Sequence, residues 1–268
     1  MSVTSKPFTS LRYYLKKYFL ILFTLTFSAL SNAQDIQFSQ FYQALLYQNP
    51  AFAGSSHKSR GTVHQRIQWP GLESKYITSL VSFDTYKPQY KSGFGGYILY
   101  DQQGQSSISS TQLALQYSYE LHLNSRYALR MGLQLGWTFQ NVDYSVLTFP
   151  SQFDENGIVN GAPVFNNNIV NFVDASSGFL LYTPEFWIGF SAHHMNSPNL
   201  SFLDDVSNLP VKLSFTGGYK FLLKDYHSGL AVSDDREVSI TPTFQYKFQG
   251  KSDQFDLGTY FLYHKIIS

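Results

Sequence analysis

The adjacent pair His193-His194 is the first place where this sequence could carry chemistry, because imidazole is the commonest metal ligand. On an extended strand, neighbouring side chains point to opposite faces, so the two rings could not grip one ion together. They read as polar groups where a strand meets the loop Met195-Asn196-Ser197-Pro198-Asn199. Asp204-Asp205 and Asp234-Asp235 lack the spacing of a calcium loop and read as solvated turns. Gly93-Phe94-Gly95-Gly96 has neither the helix nor the preceding unit of a nucleotide-binding loop, so its glycines point to close packing or curvature within a strand. Asp84 and Asp101 fall at opposite ends of neighbouring strands, so nothing pairs them as acid and base. No Gly-x-Ser-x-Gly elbow occurs, and there is no cysteine to act as nucleophile, thiolate ligand, disulfide or lipid-anchor site. No catalytic, cofactor-binding or metal-ligating residue is assigned, no cofactor is expected, and an enzyme is not the expected reading.

Composition narrows the class. Charged residues make up 14% of the 268, against about 25% in ordinary soluble domains. Aromatic residues reach 18%, a combination that suits a surface facing lipid or an unusually aromatic sandwich. The formal net charge is +1; Lys6, Arg12, Lys16 and Lys17 lie in an export signal, and without them the remainder carries about −3. Nothing in this balance points to nucleic acid.

Residues 1–33 read as that signal: the basic Lys16-Lys17, an apolar core of about 13 residues from Tyr18 to Leu30, and Ser31-Asn32-Ala33 as an A-x-A-like cleavage site. The core falls well short of the ~20 residues needed to span a bilayer as a helix. Cleavage after Ala33 would leave residues 34–54 as the start of the mature chain. There Phe38, Phe41, Tyr42, Leu45 and Leu46 recur at i, i+3, i+4, i+7 and i+8, which predicts a short amphipathic helix or at least a compact aromatic segment. Asn49-Pro50 would stop it.

Residues 55–268 read as strands. Leu113, Leu115, Tyr117, Tyr119, Leu121 and Leu123 alternate with polar or small neighbours, as do Leu129, Met131, Leu133, Leu135, Trp137 and Phe139 after the tight turn Asn124-Ser125. Similar alternation covers 211–221, 238–248 and 255–264. Less regular strands fit 62–69, 76–86, 93–101, 175–183 and 185–194, giving ten candidates. The best of them run about 12 residues, the length of a tilted membrane-spanning strand and longer than the usual 5–6. A soluble sandwich would turn the apolar faces inward, and a membrane barrel would turn them to lipid. The polar faces hold Gln, Ser, Thr and Gly rather than Lys and Glu, which favours the barrel.

Connection lengths agree with that choice. If the first strand rises from the periplasm, connections 87–92, 124–126 and the turn at Pro184 lie on the periplasmic side and all are short, while 141–174 and 196–208 are long outer loops. The connection 222–237 is long yet periplasmic, so it either docks a partner or hides a miscounted strand.

The opening Gln34-Asp35-Ile36, Phe38-Ser39-Gln40-Phe41-Tyr42 and Asn49-Pro50-Ala51-Phe52-Ala53-Gly54 resembles the PorP/SprF family of type IX secretion system outer-membrane proteins. Arg66, Gln68-Trp69, Ser82-Phe83-Asp84, Gly95-Gly96-Tyr97, Tyr100-Asp101-Gln102 and Gly132-Leu133-Gln134-Leu135-Gly136 extend the likeness. So do Asp174-Ala175-Ser176, Trp187-Ile188-Gly189, His194-Met195-Asn196, Gly217-Gly218-Tyr219-Lys220-Phe221, Ser239-Ile240-Thr241-Pro242 and Gln254-Phe255-Asp256-Leu257-Gly258. The resemblance implies an all-β antiparallel transmembrane β-barrel in the outer membrane, preceded by a short helical segment. Family members continue through several more strands, so it also implies that these ten belong to a larger barrel truncated at the C-terminus. The implied function is export or surface attachment of secreted adhesins, including in gliding motility, by binding rather than catalysis. The implied partners are a cargo C-terminal domain, other type IX secretion proteins and outer-membrane lipid. A porin or hydrophobic-solute transporter is the alternative.

Overall fold

The computed structural model describes residues 35–71, 76–104, 108–144, 168–202, 206–224 and 238–263. The signal at 1–33, most of the 141–174 loop, and the pairs Asp204-Asp205 and Asp234-Asp235 lie outside those residues.

Eleven antiparallel strands form one sheet: β1 (Arg60–Gln68), β2 (Tyr76–Lys87), β3 (Ser92–Gln103), β4 (Ile108–His122), β5 (Ala128–Val142), β6 (Ile169–Tyr182), β7 (Phe186–His193), β8 (Lys212–Tyr219), β9 (Phe221–Lys224), β10 (Val238–Gln249) and β11 (Ser252–Tyr263). Neighbours in sequence are neighbours in the sheet, except that β8 and β9 both pair with β10. Their registers match: Gly218 lies opposite Thr243 and Phe221 opposite Ile240, so β9 carries β8 onward past Lys220. The long eighth connection therefore begins later than the sequence suggested, because its first residues are strand. β6 also starts earlier than expected. Its residues Ile169–Val173 pair with β5, but inward Val170 and outward Asn171 break the apolar-polar alternation that would have marked them.

The amphipathicity of the sheet is inverted relative to a soluble sandwich. Leu115, Leu133, Leu135 and Leu257 are 60–75% exposed on the outer face, while Gln116, Ser118, Glu120, Arg130, Gln134 and Asp174 on the other face are buried. Polar groups inside and aliphatic groups outside are what a lipid-facing wall requires. Aromatic side chains gather towards both rims of the outer face. Tyr90, Tyr119, Tyr127, Tyr219 and Tyr263 lie towards the short turns; Trp69, Tyr100, Trp137, Phe139 and Tyr246 lie towards the longer connections. No described helix is long and apolar enough to cross a membrane.

The sheet is not closed: among the described residues β1 and β11 pair on one side only, as in a partial barrel. It is nevertheless strongly curled. Flat, its ten-strand path would separate the edges by roughly 43 Å at about 4.8 Å per strand. Yet Phe38 packs on His64 of β1 at 5.9 Å, and Tyr42 stacks on Tyr260 of β11 at 5.7 Å. Four residues of chain span at most about 14 Å, so the two edges curve round to within reach of one short segment.

The N-terminal residues form that segment. It is not one continuous helix: 3₁₀ turns at Phe41–Gln43 and Pro50–Phe52 flank a single α-helical turn, α1 (Leu45–Gln48). Asn49 ends α1 in extended backbone, as the Asn-Pro pair predicted. The single apolar face does not appear either. The segment is enclosed on several sides, so Phe41, Ala44, Leu46, Ala51, Phe52 and Ala53 are all buried, and its cluster includes Leu80, Tyr97, Leu99 and Leu180 from the inner wall.

Candidate functional site: the lumen and its N-terminal segment

The inner face of the curled sheet meets residues 35–57, which run from the end bearing the longer connections to the end bearing the short turns. At the first end Asp35 accepts from Lys212 Nζ at 2.5 Å, from His194 Nε2 at 2.8 Å and from Gln249 Nε2 at 3.0 Å. Its own N–H donates to Gln249 Oε1. Arg66 donates to the carbonyl of Gln37. Midway, Gln116 Nε2 donates to the carbonyl of Leu46 at 2.6 Å, and Ser191 Oγ and His193 Nε2 serve the carbonyl of Gln48 at 2.8 and 3.0 Å. Lower down, Ser118 Oγ donates to the carbonyl of Ala53 at 2.6 Å, and the Gly54 N–H donates to Asp84 Oδ2 at 2.7 Å. Irregular backbone has few partners of its own, and here the Gln, Ser and His side chains of the wall supply them.

Missing side chains bring the segment against the wall. A Cβ on Gly132 would lie 2.2 Å from Ala51 N, one on Gly93 2.0 Å from the Ala53 carbonyl oxygen, and one on Gly178 2.0 Å from Asn49 Oδ1. Asn49 uses that opening. Its Nδ2 donates to the carbonyls of Phe179 and Phe190 at 3.0 and 3.1 Å, while its Oδ1 accepts from Ala51 N at 2.9 Å. One side chain thus caps the Pro50–Phe52 turn and pins it to β6 and β7. The sequence reading of Gly93 as a close-packing glycine holds; that Gly132 and Gly178 serve the same purpose had no local signal, because the partner is some 80 to 130 residues away in the chain.

An ion cluster stands at each end. At the end with the longer connections, His194 faces Asp35 through Nε2 and Asp174 through Nδ1, the latter at 3.1 Å. Burial opposes the charged ring, but the two carboxylates outweigh it and push the His194 pKa up to about 9. Burial likewise opposes ionised Asp35, yet Lys212 and His194 hold its carboxyl well below the usual carboxylate range. At the short-turn end, Glu120 takes His57 and His122 at 3.1 Å each, and Arg130 at 3.5 Å; both Glu120 and Arg130 are wholly buried. Arg60 pairs with Asp84 at 2.9 Å beside it.

His193 and His194 correct one expectation. They do not face opposite sides, because His194 lies past the end of β7 with φ 58°, which turns its ring inward as well. Both touch the N-terminal segment, through different residues. Asp84 and Asp101 are kept apart as expected, Asp84 with Arg60 and Asp101 with Thr78 Oγ1 at 2.6 Å. Among the described residues, no group of three or more His, Cys, Asp or Glu is placed to hold a metal ion.

The arrangement is a polar inner wall holding a peptide segment in place, inside a wall whose outer face is apolar. A comparison with curated proteins gave no match. A family model, type IX secretion system membrane protein PorP/SprF, matches residues 30–268 and so covers the whole sheet together with the segment inside it. The chain belongs to the PorP/SprF family of type IX secretion system membrane proteins.

Proposed function

We propose that the sheet sits in the outer membrane with its short turns towards the periplasm. There it supports the export or surface attachment of secreted adhesin-like proteins, including those of gliding motility, by binding them rather than by catalysis. Family membership supplies the secretion role. The observation that supports binding over solute transport is the occupied lumen: residues 35–57 touch every strand of the path from β1 to β11, and take wall donors for their carbonyls. The outer connections, above all the one between β5 and β6, are the surface offered to a cargo C-terminal domain.

A tagged pull-down from solubilised outer membranes, with partners identified by mass spectrometry, tests this. Recovery of a large surface protein or of secretion-system subunits supports it. Folded barrel recovered alone, and passing solutes in liposomes, would replace it with the porin reading. Deleting residues 35–53 should raise conductance; unchanged conductance would mean the segment does not close the lumen.

A further inference from the structure

The short-turn end carries a surface that the secretion role does not by itself explain. Its described acids are all engaged: Asp84 with Arg60, Glu120 with Arg130, and Glu185 with Arg126 at 3.4 Å. Lys58, Lys91 and Arg126 stand exposed around them, so the described rim is basic. Within this rim opens a cleft of about 240 Å³ bounded by His57, His122, Asn124, Arg126 and Thr183, with Glu120 at its back. The parts are joined: the Lys91 carbonyl accepts from the Glu120 N–H at 2.8 Å, and Asn124 Oδ1 holds the N–H groups of Arg126 and Tyr127 at 2.8 Å. Behind Glu120, the buried Arg130 guanidinium makes no hydrogen bond and lies over the Tyr86 ring at 5.2 Å. It offsets the Glu120 charge and leaves the cleft without a net negative lining.

Resting on the orientation given under the proposed function, we propose that this cleft and its rim dock an acidic segment of a periplasmic protein, Arg126, His57 and His122 receiving a carboxylate and Lys58 and Lys91 steering it in. A protein fits better than a phospholipid headgroup. Glu120 and Tyr182 belong to the inner face of the sheet and His57 to the lumen segment, so the cleft opens on the inner side of the curled sheet and away from lipid. Lys87, on the outward side of β2 in step with Val81 and Phe83, is where a headgroup would be met instead. Because His57 ends the segment that fills the lumen, a partner carboxylate would compete with Glu120 for the group that anchors that end.

The test uses the full chain in nanodiscs of zwitterionic lipid and a fluorescent hexaglutamate peptide, read by anisotropy. Arg126→Gln with Lys91→Gln should weaken binding about tenfold, and added salt should weaken binding to the unmodified chain, as for rim charges that steer a partner. Lys87→Gln and Lys251→Gln, the latter at the opposite end, should leave binding unchanged. No binding, or equal losses from Lys251→Gln, overturns the proposal. Binding that depends on Lys87 and is competed by phosphatidylglycerol overturns it in favour of a lipid surface. The orientation is checked separately. The sequence has no cysteine, so Arg126→Cys gives a single thiol. Labelling of that thiol by an impermeant maleimide only after outer-membrane permeabilisation supports a periplasmic cleft. Labelling in intact cells overturns the orientation, whatever the peptide result.

Discussion

His194 carries the clearest single-residue consequence. Each ring nitrogen meets a carboxylate, Asp35 on one side and Asp174 on the other, an arrangement that a neutral imidazole with one N–H could serve only in part. Its folded pKa of about 9 lies above the ordinary 6.5. A raised folded pKa contributes stability that is fully present below the unfolded value and is lost as pH rises through the folded one. The linkage should therefore hold the N-terminal segment firmly up to about pH 6.5 and fade towards pH 9, a difference on the order of 3 kcal/mol for a shift of this size in a largely buried ring. Asp35 sets the other limit: its depressed pKa gives stability present above the usual carboxylate range and lost as pH falls through the folded value. Thermal unfolding in detergent between pH 6.5 and 9.5 should show a falling midpoint that His194→Gln flattens. A parallel fall in that variant would mean that other groups carry the pH dependence.

At the scale of elements, the glycines of β5 separate docking from simple curvature. Gly132→Ala places a methyl 2.2 Å from Ala51 N and must displace the Pro50–Phe52 turn, whereas Gly136→Ala meets nothing closer than 3.5 Å. Overpacking of this kind costs about 1–3 kcal/mol, and at this chain length each kcal/mol shifts a melting midpoint by roughly 2–4 °C. Gly132→Ala should therefore melt several degrees lower and expose residues 35–54 to protease, with Gly136→Ala close to unchanged; equal behaviour would show that the segment is not seated against Gly132. The contrast also marks what the sequence could tell. Strands β4 and β5 were legible to within a few residues, because strict alternation encodes both the element and its buried face. The start of β6 was not, because Val170 and Asn171 break the pattern while the pairing with β5 continues. The broken helix at Phe41–Phe52 was not legible either. Of its periodic residues Phe41 and Leu46 are buried and Phe38, Tyr42 and Leu45 half-buried, but enclosure on several sides removes the need for one apolar face, and the hydrogen bonds from Gln116, Ser118 and Ser191 stabilise irregular turns in place of a helix.

For the whole molecule, the inversion of polarity is the property from which the rest follows. The outer face can be aliphatic only if its surroundings are hydrocarbon, and the inner face can hold Glu120, Arg130 and Asp174 in a buried state only if they find partners there. The N-terminal segment and the ion clusters provide those partners, so the segment and the membrane wall depend on each other. A charge placed on the outer face should report depth. Leu135→Arg, midway along β5 and 60% exposed, should cost about 2–4 kcal/mol when the chain folds from urea into phospholipid vesicles, while Leu121→Arg, near the short-turn rim of β4, should cost about 0–1. Leu135 is the more exposed of the two, 60% against 42%, so burial within the protein predicts the smaller cost there; only a bilayer whose centre lies at Leu135 reverses that order. Equal costs at the two positions would mean that the outer face is not set in lipid at this height, and the aromatic rims at Tyr119 and Tyr127 below and at Phe139 above would lose their reading as the two membrane interfaces.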